Sequence, residues 1–436
     1  MYKQIVSSLL CLFCIANVSA DLEEITADQA GYSEQKLNAI KGKLDPLVDS
    51  GRIPNYLVAL AKNGKIFYKA IRGNAALDRP EPVTLDTIYW LASMSKPVVS
   101  TAVFQMIEEG KLSLEDPLNS FFPIFDDLLV APRGSFDSSF EELSRPITIK
   151  DLLTHTSGFT YGETVIGLGD IAKQYDELGV MSQRHTLDEN IELLAEVPLV
   201  AQPGTAFNYS VSIDVLGAIL EKIEQKRLGQ ILRARIFQPL GMTRSGFRAD
   251  DFSNKNIFAS LYGVPTVGQQ PIGRVGNGDI AWKIARRPSE EFVNPISGNK
   301  YKKYDAGGGG LWASADNYIR YLSMMADDGL YEGSRILSKE SVQQQSSNLV
   351  PGLDLESFVA AFGEAAHLMS FGGGLGIKRE SFESNEVDYY FWGGLCNTSF
   401  WIDPVDRSVG VFFTHHCPGQ YNVSDELEDI VDGARL

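Results

Sequence analysis

Strand signals in this chain are confined to its two ends, and that most limits how it can fold. Near the start, "NYLVALAKNGKIFYKAIRGN" (Asn55–Asn74) sets two apolar runs around Asn63-Gly64, a strong hairpin turn signal. Near the end come "VDYYFWGG" and then a second hairpin over Phe400–Phe413, turning at Pro404–Arg407. Between them the pattern is helical: "VVSTAVFQMIEEGKL", "TIKDLLTHTSG", "LDENIELLAEVPL" and "SIDVLGAILEKIEQKRLGQILRARIF". The economical packing joins both strand sets in one mainly antiparallel sheet. Helices cover it, including the first (Ser33–Gly51, with Leu37, Ile40, Leu44 and Leu47 in helical spacing) and the last ("SDELEDIVDGARL"). The expected architecture is α+β: a discontinuous sheet domain over 21–95 and 301–436, with a mainly helical domain, 96–300, inserted. A boundary of that kind commonly holds an active site.

The first twenty residues fall outside this scheme. Lys3 precedes an apolar run from Ile5 to about Ile15, and Val18-Ser19-Ala20 supplies the small residues that a signal peptidase reads. A cleaved export signal over 1–20 is expected, with a periplasmic or extracellular mature chain. The run is too short to span a bilayer, which needs about 20 residues. Cys11 and Cys14 allow a lipoprotein signal, but "CLF" before Cys14 lacks its small residues. The formal charge is −17, and losing Lys3 makes it −18. Such a surface repels nucleic acid and anionic membranes, so neither is expected as a partner; oligomeric state is left open. Cys396 and Cys417 remain. Export permits a disulfide between them, and two reduced thiols fit equally well.

Several chemistries are excluded by their missing signatures. No G-x-S-x-G, H-E-x-x-H or G-x-x-x-x-G-K-[ST] occurs. Gly307–Gly310 lacks the lysine of a phosphate loop and reads as a place where backbone passes close to backbone. Ser-x-x-Lys occurs three times. Ser33–Lys36 opens the first helix, where Ser33 is best read as an N-cap. Ser297–Lys300 lies in a polar loop. Ser93-Met94-Ser95-Lys96 differs, following the apolar "IYWLA" and opening an amphipathic helix. Positions i and i+3 share a helix face, and a serine hydroxyl needs an adjacent base to become a nucleophile. The plain alternative is a capped helix whose lysine snorkels to solvent. Two further stretches carry chemistry. Tyr209, in "PGTAFNYSVSIDVLG", precedes a helix whose cap is expected at Ser210 or Ser212 and could shuttle protons. Gly393-Gly394, in "FWGGLCNTSFWIDP", marks a bulge or a close approach in a strand, and such a strand can offer an N–H to an oxyanion.

Taken in order, "LASMSKP", "LLTHTSGF", "PGTAFNYS", "GGGGLWASADNYIRY" and "FWGGLCNTSFWIDP" resemble the serine β-lactamase-like superfamily, above all class C β-lactamases and family VIII carboxylesterases. The resemblance covers most of the mature chain. It implies Ser93 as the acylated nucleophile, Lys96 as its base and Tyr209 as the proton-transfer tyrosine. It further implies the backbone N–H groups of Ser93 and Leu395 as the oxyanion hole, and Trp392-Gly393-Gly394 as the substrate-binding strand. Two departures bear on the substrate. Trp392-Gly393-Gly394 replaces the lactamases' K-T-G, removing a cation and a hydroxyl suited to a substrate carboxylate. Tyr209-Ser210-Val211 lacks the asparagine of Y-x-N. Asn397 stands where these esterases more often have glycine, and asparagine best tolerates a left-handed backbone. His155 is read as bracing a helix end before Gly158, and His415-His416 as lining or underlying the cleft.

The function expected is therefore hydrolysis of a small-molecule carboxylic ester through an acyl-enzyme, calling for no metal or organic cofactor. A β-lactam or D-amino-acid peptide substrate is the first alternative. A non-catalytic cell-wall-binding protein of the same fold is the second.

Overall fold

The computed structural model describes residues 21–436 except 78–79, 137–138, 164, 166, 168, 253–257, 264–265, 268–269, 272–282, 287–301, 352, 354–368, 380–385, 418 and 420–422. The expected signal sequence and the Ser297–Lys300 copy of Ser-x-x-Lys lie outside the described residues.

Seven strands form the main sheet: β1 (Asn55–Lys62), β2 (Lys65–Gly73), β3 (Met369–Phe371), β4 (Gly376–Arg379), β5 (Val387–Gly394), β6 (Thr398–Ile402) and β7 (Ser408–Phe413). Their order is β3-β4-β5-β6-β7-β1-β2, and every pairing is antiparallel. The two ends of the chain thus share one sheet, β1 lying against β7 with Val58 opposite Phe412. Both hairpins turn where expected. Asn63 and Gly64 have φ of +52° and +73°, as a two-residue turn requires. In the second, Asp403 Oδ1 accepts the N–H groups of Val405 and Asp406, and Arg407 closes the turn at φ +56°.

Strand β1 is buried on both faces, and its two-residue period divides it between two cores. Tyr56, Val58 and Leu60 pack with Leu37, Ile40 and Leu44 and with Leu427 and Val431. These come from the helical stretch Glu34–Asp49, including α1 (Ala39–Asp49), and from the C-terminal helix (Ser424–Gly433). Leu57, Ala59 and Ala61 face the larger core, with Val98, Val99 and Leu322. That core holds α2 (Ser95–Glu108), whose sequence is buried almost throughout, α3 (Ile149–Leu153), α4 (Ser212–Glu224) and α5 (Ala315–Ala326). Helix α4 packs against α2 and α3 and so ties the helical region to the Ser-x-x-Lys helix. A small sheet, Ile88–Trp90, Trp312–Ser314 and Ser245–Gly246, sets the strand after the glycine run beside the strand before Ser93. Among the described residues no helix is long and apolar enough to cross a membrane.

Three local details differ from, or decide between, the sequence expectations. The first helix is interrupted at Asn38. Ser33 caps only Glu34–Leu37, accepting the Lys36 N–H, and a second helix starts at Ala39. Helix α4 has Val211, not a serine, at its N-cap, with no side-chain cap. The hydroxyls of Ser210 and Ser212 are turned inward, 2.7 Å from each other, and Ser157 bonds Ser212 at 2.8 Å. Cys396 and Cys417 are joined in a disulfide.

His415 underlies the small sheet. Its Nε2 accepts the Trp90 N–H at 2.8 Å, and burial lowers its pKa to about 4. Burial lowers that of His416 to about 4 as well. A histidine kept neutral in the fold takes up a proton more readily once unfolded. Its stabilising contribution is complete above about pH 6.5 and is lost as pH falls toward 4, by about 1.4 kcal/mol per pH unit and residue. Denaturant titrations of wild type and His415→Gln between pH 7 and pH 4 should give a shallower decline for the variant. Equal slopes would contradict a neutral His415.

Candidate active site

Ser93 sits in a single 3₁₀ turn, Ala92–Met94, between the Ile88–Trp90 strand and α2. Ala92 is left-handed at φ +46°, an unfavourable conformation for a residue with a Cβ. Outside contacts hold it there. Buried Ser95 donates to Ala92 O at 2.6 Å and accepts the Leu311 N–H at 2.9 Å. Tyr318 donates to Met94 O at 2.8 Å. The second serine of "SMSK" is thus a brace for the turn, a role that the motif does not advertise.

Lys96 does not snorkel. It is fully buried, and its Nζ lies 3.2 Å from Ser93 Oγ and 2.6 Å from Gly308 O. The ammonium position is also 4.5 Å from the Tyr209 ring centroid and 5.6 Å from that of Tyr161. Three sequence-predicted residues, Ser93, Lys96 and Tyr209, are therefore brought together. Tyr209 is set by a clamp on its neighbours: Asn208 N–H donates to His155 O at 2.7 Å and Ser210 N–H to His155 Nδ1 at 3.2 Å. His155, expected to brace its own helix end, instead braces this junction from a left-handed backbone at φ +56°. Its imidazole ring lies 4.7 Å from the Tyr209 ring. Burial, and then the charge of Lys96, push its pKa well below the usual histidine range.

The glycine run does allow close passage, and it also supplies an acceptor that the sequence did not reveal. A Cβ on Gly307 would come within 2.7 Å of Ile213 O, and one on Gly308 would overlap the Asp214 carboxylate. That close fit lets Gly308 N–H donate to Asp214 Oδ1 at 3.1 Å while Gly308 O accepts from Lys96. Asp214 is itself a buried acid in the first turn of α4, five residues after Tyr209. Burial raises its pKa; the Gly308 N–H and the Lys96 charge act against that rise. Tyr161 is raised well above the usual tyrosine value by burial first, then by Tyr209 and Asp214. Neither residue was singled out from sequence. A buried aspartate within the apolar "SIDVLGAIL" was the available signal for one of them.

Trp392, Gly393 and Gly394 end β5 at the same place. Trp392 is buried, its ring 5.7 Å from Tyr209 and 5.4 Å from Phe371. The two glycines differ. A Cβ on Gly394 would overlap Leu91 O and Thr398 Oγ1, whereas one on Gly393 meets only Thr398 O, at 3.4 Å. The strand end therefore presses, through Gly394, on the segment two residues before Ser93. Leu395 follows in a turn, closed by Asn397 N–H to Gly394 O at 3.2 Å, with Asn397 left-handed at φ +63°. Among the described residues no group of three or more His, Cys, Asp or Glu converges as a metal site.

An antiparallel sheet flanked by helices, with a serine and a buried lysine one turn apart at the head of the central helix, is the β-lactamase-like architecture of a serine hydrolase. The chain belongs to the Beta-lactamase family, whose profile matches residues 40–431. Protein Rv1367c of Mycobacterium tuberculosis is 30% identical over 397 residues, 88% of this chain and 90% of the relative. Esterase EstB of Burkholderia gladioli is 31% identical over 293 residues, 65% of this chain and 69% of the relative. Among solved structures, EstCE1, described as a hydrolase with promiscuous acyltransferase activity, aligns with a TM-score of 0.71 and 25% identity. The alignment covers 94% of this chain and all of EstCE1.

Three substitutions test this construction. Gly394→Ala should destabilise by about 1–3 kcal/mol through overpacking, and Gly393→Ala should leave thermal unfolding nearly unchanged. Asp214→Asn keeps an acceptor for Gly308 and removes a negative charge from a cluster of Lys96, Tyr161, Tyr209 and neutral His155. Without that charge the site should release a proton more easily. The acid limb of the kcat/KM profile should then move to lower pH, on the order of one unit. An unmoved limb would make Asp214 an anchor alone.

Proposed function

We propose that this protein hydrolyses uncharged carboxylic esters through an acyl-enzyme on Ser93. The observation that carries the reading is the fully buried Lys96 Nζ, 3.2 Å from Ser93 Oγ. Ser93 Oγ attacks the ester carbonyl while Lys96, which must first give up a proton to act as a base, takes the hydroxyl proton and, with Tyr209, passes it to the leaving alcohol. The N–H groups of Ser93 and Leu395 donate hydrogen bonds to the developing oxyanion. Water then attacks the acyl-enzyme, giving its proton to the same pair, which returns it to Ser93 Oγ as the C–Oγ bond breaks and the acid departs.

The substrate class follows from what lines the site. Trp392, Phe371, Tyr161 and Tyr209 supply aromatic surface, and Trp392 stands where a lactamase has the lysine that would meet a carboxylate. The similarity to EstB, an esterase, supports an ester over an amide. Transfer of the acyl group to an alcohol instead of water is a second reading, supported by the described activity of EstCE1. We further propose export to the periplasm or extracellular space, on the signal-like residues 1–20 and a disulfide of the kind that persists in oxidising compartments.

The test is a panel of p-nitrophenyl butyrate and nitrocefin on wild type and Ser93→Ala. Wild type should cleave the ester and leave nitrocefin nearly intact. Ser93→Ala should lose at least about a thousandfold in kcat. Rapid nitrocefin turnover without ester cleavage would reverse the substrate assignment. Phosphonate labelling that survives Ser93→Ala would remove Ser93 from its role.

A further inference from the structure

The mechanism leaves the Cys396–Cys417 bridge unused, yet Cys396 directly follows Leu395. Residues 414–417 and Gly419 wrap the turn that carries Leu395. Gly419 N–H donates to Leu395 O at 2.7 Å, His416 N–H to Cys396 O at 3.3 Å and Thr414 N–H to Asn397 O at 3.3 Å. All three carbonyls of the turn are therefore taken by one neighbouring strip of chain. The fourth constraint is internal: Asn397 N–H holds Gly394 O, the carbonyl of the very peptide that bears the Leu395 N–H. Gly419 lies so close that a Cβ there would overlap the Asn397 side-chain amide oxygen. The strip is tied down in turn, Tyr262 N–H donating to His415 O at 3.0 Å and Cys417 pairing with Gly263. The disulfide closes this arrangement covalently.

The bridge is poorly placed to serve as a staple for the sheet. The chain between the two cysteines is already the β6–β7 hairpin, joined by five residue pairs from Thr398–Phe413 to Ile402–Val409. Cross-linking beyond the open end of that hairpin adds little to its closure. It adds most to the turn, whose peptide planes are otherwise fixed by single hydrogen bonds.

We propose that Cys396 and Cys417 are positioning residues for the oxyanion-binding turn, their bridge holding the Leu395 N–H where the tetrahedral intermediate needs it. Opening the bridge then slows acyl transfer while substrate binding and the fold persist. The inference rests on the acyl-enzyme reading through Leu395, and not on the choice between ester and lactam.

The experiment uses oxidised protein, the same protein reduced by dithiothreitol, and Cys417→Ala, which leaves the buried Cys396 in place. Reduction passes two electrons and two protons to the bridge, breaking the S–S bond into two thiols as the reagent cyclises to its own disulfide. Thiol counting verifies the opened bridge. On p-nitrophenyl butyrate, kcat should fall about tenfold or more in both opened forms, a part of what losing one oxyanion donor costs. KM should stay within about twofold, far-ultraviolet circular dichroism should be unchanged, and reoxidation should restore the wild type. Unchanged kcat with the bridge open would overturn the proposal. So would activity lost only in step with native dichroism in both forms, since the bridge would then be a staple. If the wild type prefers nitrocefin, the ester assignment fails, and the same kcat comparison on nitrocefin still decides the role of the bridge.

Discussion

Much of this molecule is arranged around the burial of one amine. Taking an ammonium group out of water costs several kcal/mol even after the protein relaxes, and a charge-assisted hydrogen bond returns about 1.5–3 kcal/mol. One partner would not hold Lys96 inside; the site gives it several. Ser93 Oγ and Gly308 O accept from it, the Tyr209 ring faces it, and Asp214 supplies a charge of opposite sign. Each partner constrains something larger. Gly308 can reach Lys96 only because its chain runs against the start of α4 without a side chain in between. Tyr209 can face it only because His155 grips the residues on either side.

The same arrangement accounts for what was legible in the sequence. Interactions within one helical turn or one tight turn were readable. Ser93 and Lys96 are three residues apart, Asn63-Gly64 and Arg407 mark hairpin turns, and Asn397 is the asparagine that tolerates a left-handed backbone. The pairing of the two chain ends was readable too, because the two hairpins had no other strong strand signals to pair with. What was hidden depends on residues distant in sequence. Gly308 is 212 positions from the lysine it accepts from, and 94 from Asp214. A glycine run signals close approach but not what is approached. Local rules also gave way where tertiary contacts were stronger. Ser210 and Ser212, good cap residues by type, spend their hydroxyls on each other and on His155 and Ser157, leaving α4 uncapped. The cysteine pair was undecidable locally, since a bridge needs the turn after β5 and the segment after β7 to meet.

Specificity then follows from what surrounds the amine. Lys96 is already committed to Ser93 and Gly308. A substrate carboxylate would need a cation of its own, and the strand position that provides one in lactamases here holds Trp392. The wall formed by Trp392, Phe371 and Tyr209 favours an apolar acyl or alcohol group through burial of its surface. An anionic substrate would lose its hydration there without gaining a partner. The proposed preference for uncharged esters thus rests on the same low-dielectric setting that holds the amine beside the hydroxyl.

The reactive geometry is assembled less by side chains than by backbones brought unusually close. The end of β5 meets the segment before Ser93 at Gly394, and the Gly307–Gly310 strap meets the start of α4, at positions where a Cβ would collide with a carbonyl or a carboxylate. Backbone groups are rigid, and they carry the donors and acceptors that the proposed acyl transfer needs: a carbonyl for the lysine and N–H groups for the oxyanion. Side chains such as Trp392 can vary on this frame without moving it, which is how one fold can serve lactams in some members and esters in others. By the same argument, whatever fixes the peptide planes of those segments, including residues 414–417 and Gly419 behind Leu395, bears on the proposed acyl transfer as much as the residues that would meet the substrate.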